Sequence, residues 1–195
     1  MSFALSRTSA LLVMDYQADV LSLMVPEPGP VLAAARRAID AAHSAGLPVI
    51  YVVVGFRPGY PELNPQNERL SGAIRARGGF VIEDPRAAVH PDLAPADGDI
   101  VVTKRRMSAF SGSDLDIVLR SRGVDTLMMM GVSTSGVILS TTRQAFDLDY
   151  RLVVVADGCT DPDPEVHRVL VEKILARQAM VVSSTELEAA AASLG

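Results

Sequence analysis

The chain has 195 residues, 49% of them hydrophobic and 21% charged, with a formal net charge of −5 and a single cysteine, Cys159. This suits one globular domain, residues 1–195, large enough to bury a core unaided. With no basic block, nucleic acid is excluded as a partner, and the apolar runs are too short to cross a bilayer. One cysteine permits neither an internal disulfide nor a cysteine-rich metal site. The N-terminal stretch MSFALSRTSALLVMDY enters a strand directly, without a signal-peptide pattern, so a cytoplasmic protein is expected.

Ala10 to Met14 is a continuous apolar run, read as a buried first strand that ends in Asp15. An acid at the end of a buried parallel strand lies at the edge of the sheet where ligands bind. On position alone Asp15 is either a functional acid or a turn-capping one. Pro26, Pro28 and Pro30 mark a loop, and Val31 to Ala45 has the periodicity of an amphipathic helix closed by Gly46. His43 in its last turn reads as a helix-end cation. Pro48 to Val54 is a second strand. Gly55 to Asp99 is long and irregular, with a short helix expected over Glu68 to Arg77, and connections of this length are often functional. Arg57 and Tyr60 are its candidate binding residues, the alternatives being a surface charge and a packing aromatic.

Ile100 to Thr103 forms a third strand ending in Lys104. Lys104 can meet Asp15 only if their strands are near neighbours. Arg105 and Arg106 follow, and either recognise a carboxylate or are simply solvated. Ser113-Asp114 caps a helix that ends near Arg122 and Gly123. Thr126 to Met130 is a buried strand, broken by the small residues Gly131 to Gly136 before Val137 to Phe146 resumes helical spacing. Such a strand-turn-helix exposes first-turn N–H groups suited to an anion or a developing oxyanion. An enzyme would carry a nucleophile on that turn, yet Gly136 and Val137 offer none. Arg151 to Ala156 is the fifth strand. Asp163-Pro164-Glu165 starts a helix running to about Ala176, Ala179 to Val182 is the last strand, and Thr185 is expected to cap a terminal helix. Regular alternation of strand and helix predicts a three-layer α/β/α domain around a parallel sheet.

The three histidines, His43, His90 and His167, are scattered and form no ligand spacing, so no metal is expected. No dinucleotide or Walker pattern follows a strand, and no cofactor is expected. What remains is Asp15, Lys104 and the turn Val132 to Val137. Burial would raise the Asp15 pKa and the neighbouring ammonium would lower it.

With those places marked, the chain resembles the isochorismatase-like hydrolases, the cysteine hydrolase superfamily. ALLVMDYQADV is similar to the family's first-strand motif, with the catalytic Asp at Asp15. VVTKRRMSAFSGSDL is similar to the segment carrying the catalytic Lys, at Lys104, and GVSTSGVILSTTRQAF to the nucleophile turn. The resemblance implies a six-stranded parallel sheet of Rossmann-like type, a cis peptide at Val132-Ser133, and frequent assembly into homo-oligomers. It places the family's nucleophilic cysteine at Val137, and it implies substrate contacts at Val132, Ser133, Thr134 and Gly136. Isochorismatases also lack that cysteine and hydrolyse a vinyl ether by acid chemistry. The metal ligands that nicotinamidases carry after the second strand are absent from VVVGFRPGY.

Three functions are open to such a chain. The first is a hydrolase of a small polar molecule, carboxylate-bearing if the arginines bind it. Asp15 would be its proton donor or water activator, Lys104 would tune it, and no covalent cysteine intermediate would form. The second is a binding or scaffold protein on the same fold, since fold does not guarantee activity. The third moves cysteine chemistry to Cys159.

Overall fold

The computed structural model describes residues 4–194. Six strands, β1 (Ser9–Met14), β2 (Val49–Val54), β3 (Ile100–Lys104), β4 (Thr126–Val132), β5 (Arg151–Thr160) and β6 (Met180–Val182), form one parallel sheet in the order β3-β2-β1-β4-β5-β6. The central strands β1 and β4 are buried at every residue. That is why they read as unbroken apolar runs rather than as alternating ones.

Chain order runs outward from β1 to β3 on one side, then restarts at β4 on the other. The carboxyl ends of β1 and β4 therefore flank the switch point where open α/β sheets open a crevice. Right-handed crossovers in opposite directions put helices on both faces. Helix α2 (Gly29–Ser44) packs on β1, β2 and β5 and against the last helix, while α4 (Leu115–Ser121) and α5 (Leu139–Asp147) connect β3 to β4 and β4 to β5.

Several local features differ from the expected ones. A short helix, α1 (Ala18–Met24), follows β1 and had no separate periodic signal within only seven residues. Helix α3 (Glu68–Arg77) occupies the expected residues, with Asn67 accepting from the Leu70 N–H and Gly78 closing it at φ +65°. Helix α6 (Pro164–Val169) continues only as a π turn over Leu170–Ile174 and a tighter turn over Leu175–Arg177. The terminal helix, α7 (Ser184–Ala192), is capped by Ser183 and not by Thr185. Ser183 and Glu186 form a reciprocal capping box, which satisfies two backbone donors where Thr185 could satisfy one. His43 closes α2 by pairing with Asp99 at 2.8 Å.

The sheet is tightest where β1 and β4 approach the crevice. Gly131 is in register with Met14, and a Cβ on Gly131 would sit 2.5 Å from the Met14 carbonyl oxygen and 2.9 Å from its Cβ. Backbone of a central strand cannot yield as a side-chain end can. Gly131→Ala is therefore expected to cost about 3 kcal/mol, read as a lower urea midpoint at unchanged slope. An unchanged midpoint would mean that the two strands are not packed this closely.

Candidate active site

Asp15 is the first residue beyond β1. Its N–H donates to the Val52 carbonyl at 2.8 Å, and it adopts φ +60°, a region that aspartate tolerates better than most residues. Lys104 ends β3, two strands away, a separation of about 10 Å at ordinary strand spacing. The extended lysine closes that gap. Its Nζ lies 2.7 Å from Asp15 Oδ2 and donates to the Met107 carbonyl at 2.8 Å. Both side chains are buried, Lys104 at 2% exposure and Asp15 at 6%. Asp15 Oδ1 has no hydrogen-bond partner among the described residues. Burial pushes the Asp15 carboxyl above its ordinary value, and the Lys104 ammonium opposes this only in part.

On the far side of the switch point, β4 runs into the turn through a cis peptide at Val132-Ser133. Thr134–Ile138 form a π turn that leads into α5. Most donors of this turn are already engaged. Ser133 Oγ and its carbonyl accept from the Gly136 N–H at 3.1 and 3.2 Å, and the same carbonyl takes Ile138 N–H. Asp161 accepts from Ser135 N–H at 2.7 Å. The row of free N–H groups expected from the sequence is therefore reduced, although the Ser133 N–H has no partner among the described residues.

Asp15, Lys104, Val132, Ser133, Gly136 and Val137 all line one cavity of about 340 Å³. Three other expected contacts lie outside it. Thr134 is fully buried behind the turn, where its hydroxyl shares a 2.8 Å hydrogen bond with His167 Nδ1. Arg57 points to solvent and pairs with Glu62 at 2.7 Å. Tyr60 donates to the Gly79 carbonyl and stacks edge-on against Phe56, so it packs the loop rather than facing the cavity.

The long connection does fold over the crevice, but with different residues. Helix α3 supplies Leu70, Ala73, Ile74 and Arg77, and Phe80 follows. Arg77 is the last residue of α3, and its place in the sequence marked it only as the end of that helix. Gln17, fully buried, ties the loop to the sheet through bonds to both Val54 backbone groups and to the Ala87 carbonyl. Arg105 and Arg106 also line the cavity. The wall is more apolar than a small polar substrate would need, a property that depends on which residues meet in space and not on their order in the chain.

Cys159 is not placed to act as a nucleophile. Its thiol is buried, donates to the Val155 carbonyl, and is pushed up to about 12, chiefly by burial. Tyr16 donates to the neighbouring Gly158 carbonyl and fixes that strand end against β1. Among the described residues no group of three or more His, Cys, Asp or Glu side chains could hold a metal ion. No helix among them is long and apolar enough to cross a membrane.

The buried pair generates two expectations. The folded-state pKa of Asp15 lies above its ordinary 3.8, so the folded protein holds the proton more tightly than the unfolded chain. That contribution to stability is complete below the unfolded pKa and is lost as pH rises through the folded one. Urea melts from about pH 4 to 8 should show wild type losing stability relative to Asp15→Asn as pH rises. A gain over the same range would reverse the assigned shift. Lys104→Met leaves a buried carboxylate alone and should cost about 3–5 kcal/mol at the alkaline end, with part recovered as Asp15 takes up a proton.

Comparison with known proteins agrees with this geometry. The isochorismatase domain profile matches residues 9–186. A ureidoacrylate amidohydrolase, RutB, of Pseudomonas syringae pv. syringae is 35% identical over 182 residues, covering 80% of this chain and 72% of the relative. An isochorismatase family protein from Burkholderia thailandensis superposes with a TM-score of 0.82 at 29% identity, covering 97% of this chain and 98% of its own. A cysteine hydrolase from Pseudomonas syringae pv. phaseolicola superposes at 0.91 with 23% identity, covering 99% and 97%, and shares the fold. The chain belongs to the isochorismatase family of hydrolases.

Proposed function

We propose that this protein hydrolyses a small, carboxylate-bearing molecule by acid–base chemistry at Asp15 and Lys104, without a covalent cysteine intermediate. One observation carries the reading. Asp15 lines the cavity with one oxygen held by Lys104 and the other without a partner, and burial keeps its carboxyl protonated to higher pH than usual. A carboxyl in that setting is a proton donor, and the ammonium stabilises the carboxylate left behind.

For an enol ether, the Asp15 proton goes to the vinyl carbon, and water captures the resulting oxocarbenium carbon. One water proton returns to Asp15, and the hemiketal separates into a carbonyl compound and an alcohol. Val137 lines the cavity wall, the family resemblance assigns the nucleophilic cysteine to its position, and its β-branched apolar side chain can form no ester or thioester. The amidohydrolase name of the Pseudomonas relative supports hydrolysis as the reaction class and makes a C–N bond the next one to test. Assembly into a homo-oligomer and a cytoplasmic location belong to the same proposal, from the family resemblance and the lone cysteine. The apolar residue at Val137 also favours a second reading, a binding protein that has lost chemistry on this fold.

A panel of enol ethers and amides separates the two readings. Turnover by wild type that falls about 10²–10⁴-fold in Asp15→Asn and survives Cys159→Ser supports the hydrolase. Binding without turnover, alike in wild type and Asp15→Asn, supports the second reading. In a separate experiment, wild type incubated with p-nitrophenyl acetate should carry no acyl group on residues 131–139 by peptide mass mapping. Val137→Cys should acquire one, because thiolate is favoured at a helix start. A wild-type adduct mapped to that turn would overturn the non-covalent mechanism.

A further inference from the structure

The cavity has a second property that acid–base chemistry at Asp15 does not require. Its wall is built largely from apolar side chains of three separate elements. Val20, Leu23 and Met24 come from α1, Leu70 and Ile74 from α3, and Phe80 from the following loop. Met107 lies against Gly136 at the rim, half exposed. A site for a wholly polar substrate would have to desolvate that substrate against this surface with few groups to replace its water.

The charges in the same cavity are also unbalanced. Lys104 is engaged by Asp15 at 2.7 Å, and Arg105 faces the Glu62 carboxylate at 3.5 Å. Arg106 is different. Its guanidinium is held by two backbone carbonyls, those of Arg105 at 2.6 Å and Glu62 at 2.9 Å, with no carboxylate partner among the described residues. That arrangement fixes the group in place without cancelling its charge. Arg77 makes no ion pair and no side-chain hydrogen bond among the described residues. Asp19, beside Gly79, is close by but is not paired with it. Two arginines that line one small cavity without a carboxylate partner among the described residues are complementary to an anion, and guanidinium suits a planar carboxylate in particular.

Resting on the acid–base reading above, we infer that the substrate is a carboxylate with an apolar body, aryl or branched alkyl. The body packs between α1, α3 and Phe80, and the carboxylate is recognised by Arg77 and Arg106. A cavity of about 340 Å³ accommodates a ring with a short side chain. Arg77 and the apolar wall are thus specificity determinants, and Asp15 and Lys104 act on whichever bond the body presents to them.

Equilibrium binding to the full chain tests this without any need for turnover, so its failure is distinct from failure of the catalytic reading. The probes are 3-phenylpropionate, propionate and 3-phenylpropanamide, followed by calorimetry or saturation-transfer NMR. 3-Phenylpropionate should bind about 50-fold more tightly than propionate, as expected for burying one ring, and more tightly than the neutral amide. Arg77→Gln, which removes no ion pair or side-chain hydrogen bond among the described residues, should weaken the carboxylate at least 10-fold and leave the amide unchanged. Leu23→Ser, at the partly exposed end of the wall, should weaken both aryl probes and spare propionate. Equal affinity for propionate and 3-phenylpropionate would overturn the apolar-body assignment. Indifference of the carboxylate to Arg77→Gln would overturn the assignment of its anion contact. Binding as inferred, with no turnover of any aryl-bearing enol ether or amide, would uphold this inference and count against the acid–base reading.

Discussion

The site depends on a buried ion pair that spans three strands. Asp15 leaves β1 and Lys104 leaves β3, and β2 lies between them. Taking both charges out of water is costly, and a contact of 2.7 Å returns that cost only if the pair is held closely and otherwise hydrogen bonded. The Lys104 ammonium has a second partner in the Met107 carbonyl, whereas Asp15 Oδ1 has none. The pair is thus satisfied on the lysine side and open on the aspartate side. This asymmetry is unfavourable for stability alone and useful for moving a proton.

Other features follow from keeping that pair dry and facing a cavity. Gln17 ties the long connection, at the Ala87 carbonyl, to Val54 at the end of β2, and α3 in that connection lines the crevice. Glu62 in the same connection gathers Arg57, Arg105 and, through its carbonyl, Arg106. On the opposite wall, the tight passage of Gly131 past Met14 brings the Ser133 turn up to the cavity. The turn brings Val132, Ser133, Gly136 and Val137 to the cavity wall, and Val137 there is apolar and buried. In the proposed mechanism the proton-transferring side chains therefore stand at the ends of β1 and β3, and the β4 side shapes the opposite wall.

Much of this was legible in the chain because it is written in short-range patterns. Buried parallel strands are apolar throughout, so ALLVM and TLMMM stood out, IVVT was short and β-branched although β3 is a partly exposed edge strand, and the residues ending all three fell at one sheet edge. The turn between β4 and α5 was visible as a run of small residues between two periodic segments. Orientation within loops was not legible. Arg57 and Arg77 are both arginines of the same connection, but only the structure shows that the first meets Glu62 and the second faces the cavity. Thr134 is another such case, because Ser133 lines the cavity while the adjacent Thr134 meets His167 behind the turn. The apolar wall could not be read at all, since α1, α3 and Phe80 come together only through tertiary packing. The cap of α7 lay two residues earlier than expected because the reciprocal Ser183–Glu186 pair outweighs a single threonine hydroxyl.

The central claim is that burial leaves Asp15 holding a proton above the ordinary carboxylate range while Lys104 restrains the shift. The most direct measurement is a ¹³C NMR titration of the Asp15 carboxyl carbon in aspartate-labelled protein, assigned with Asp15→Asn and repeated in Lys104→Met. The account predicts an Asp15 midpoint above that of exposed aspartates in the same spectrum, and a further rise in Lys104→Met. An Asp15 midpoint at or below the exposed aspartates would contradict it, because the lysine would then dominate and Asp15 would be an ionised structural partner with no proton to give.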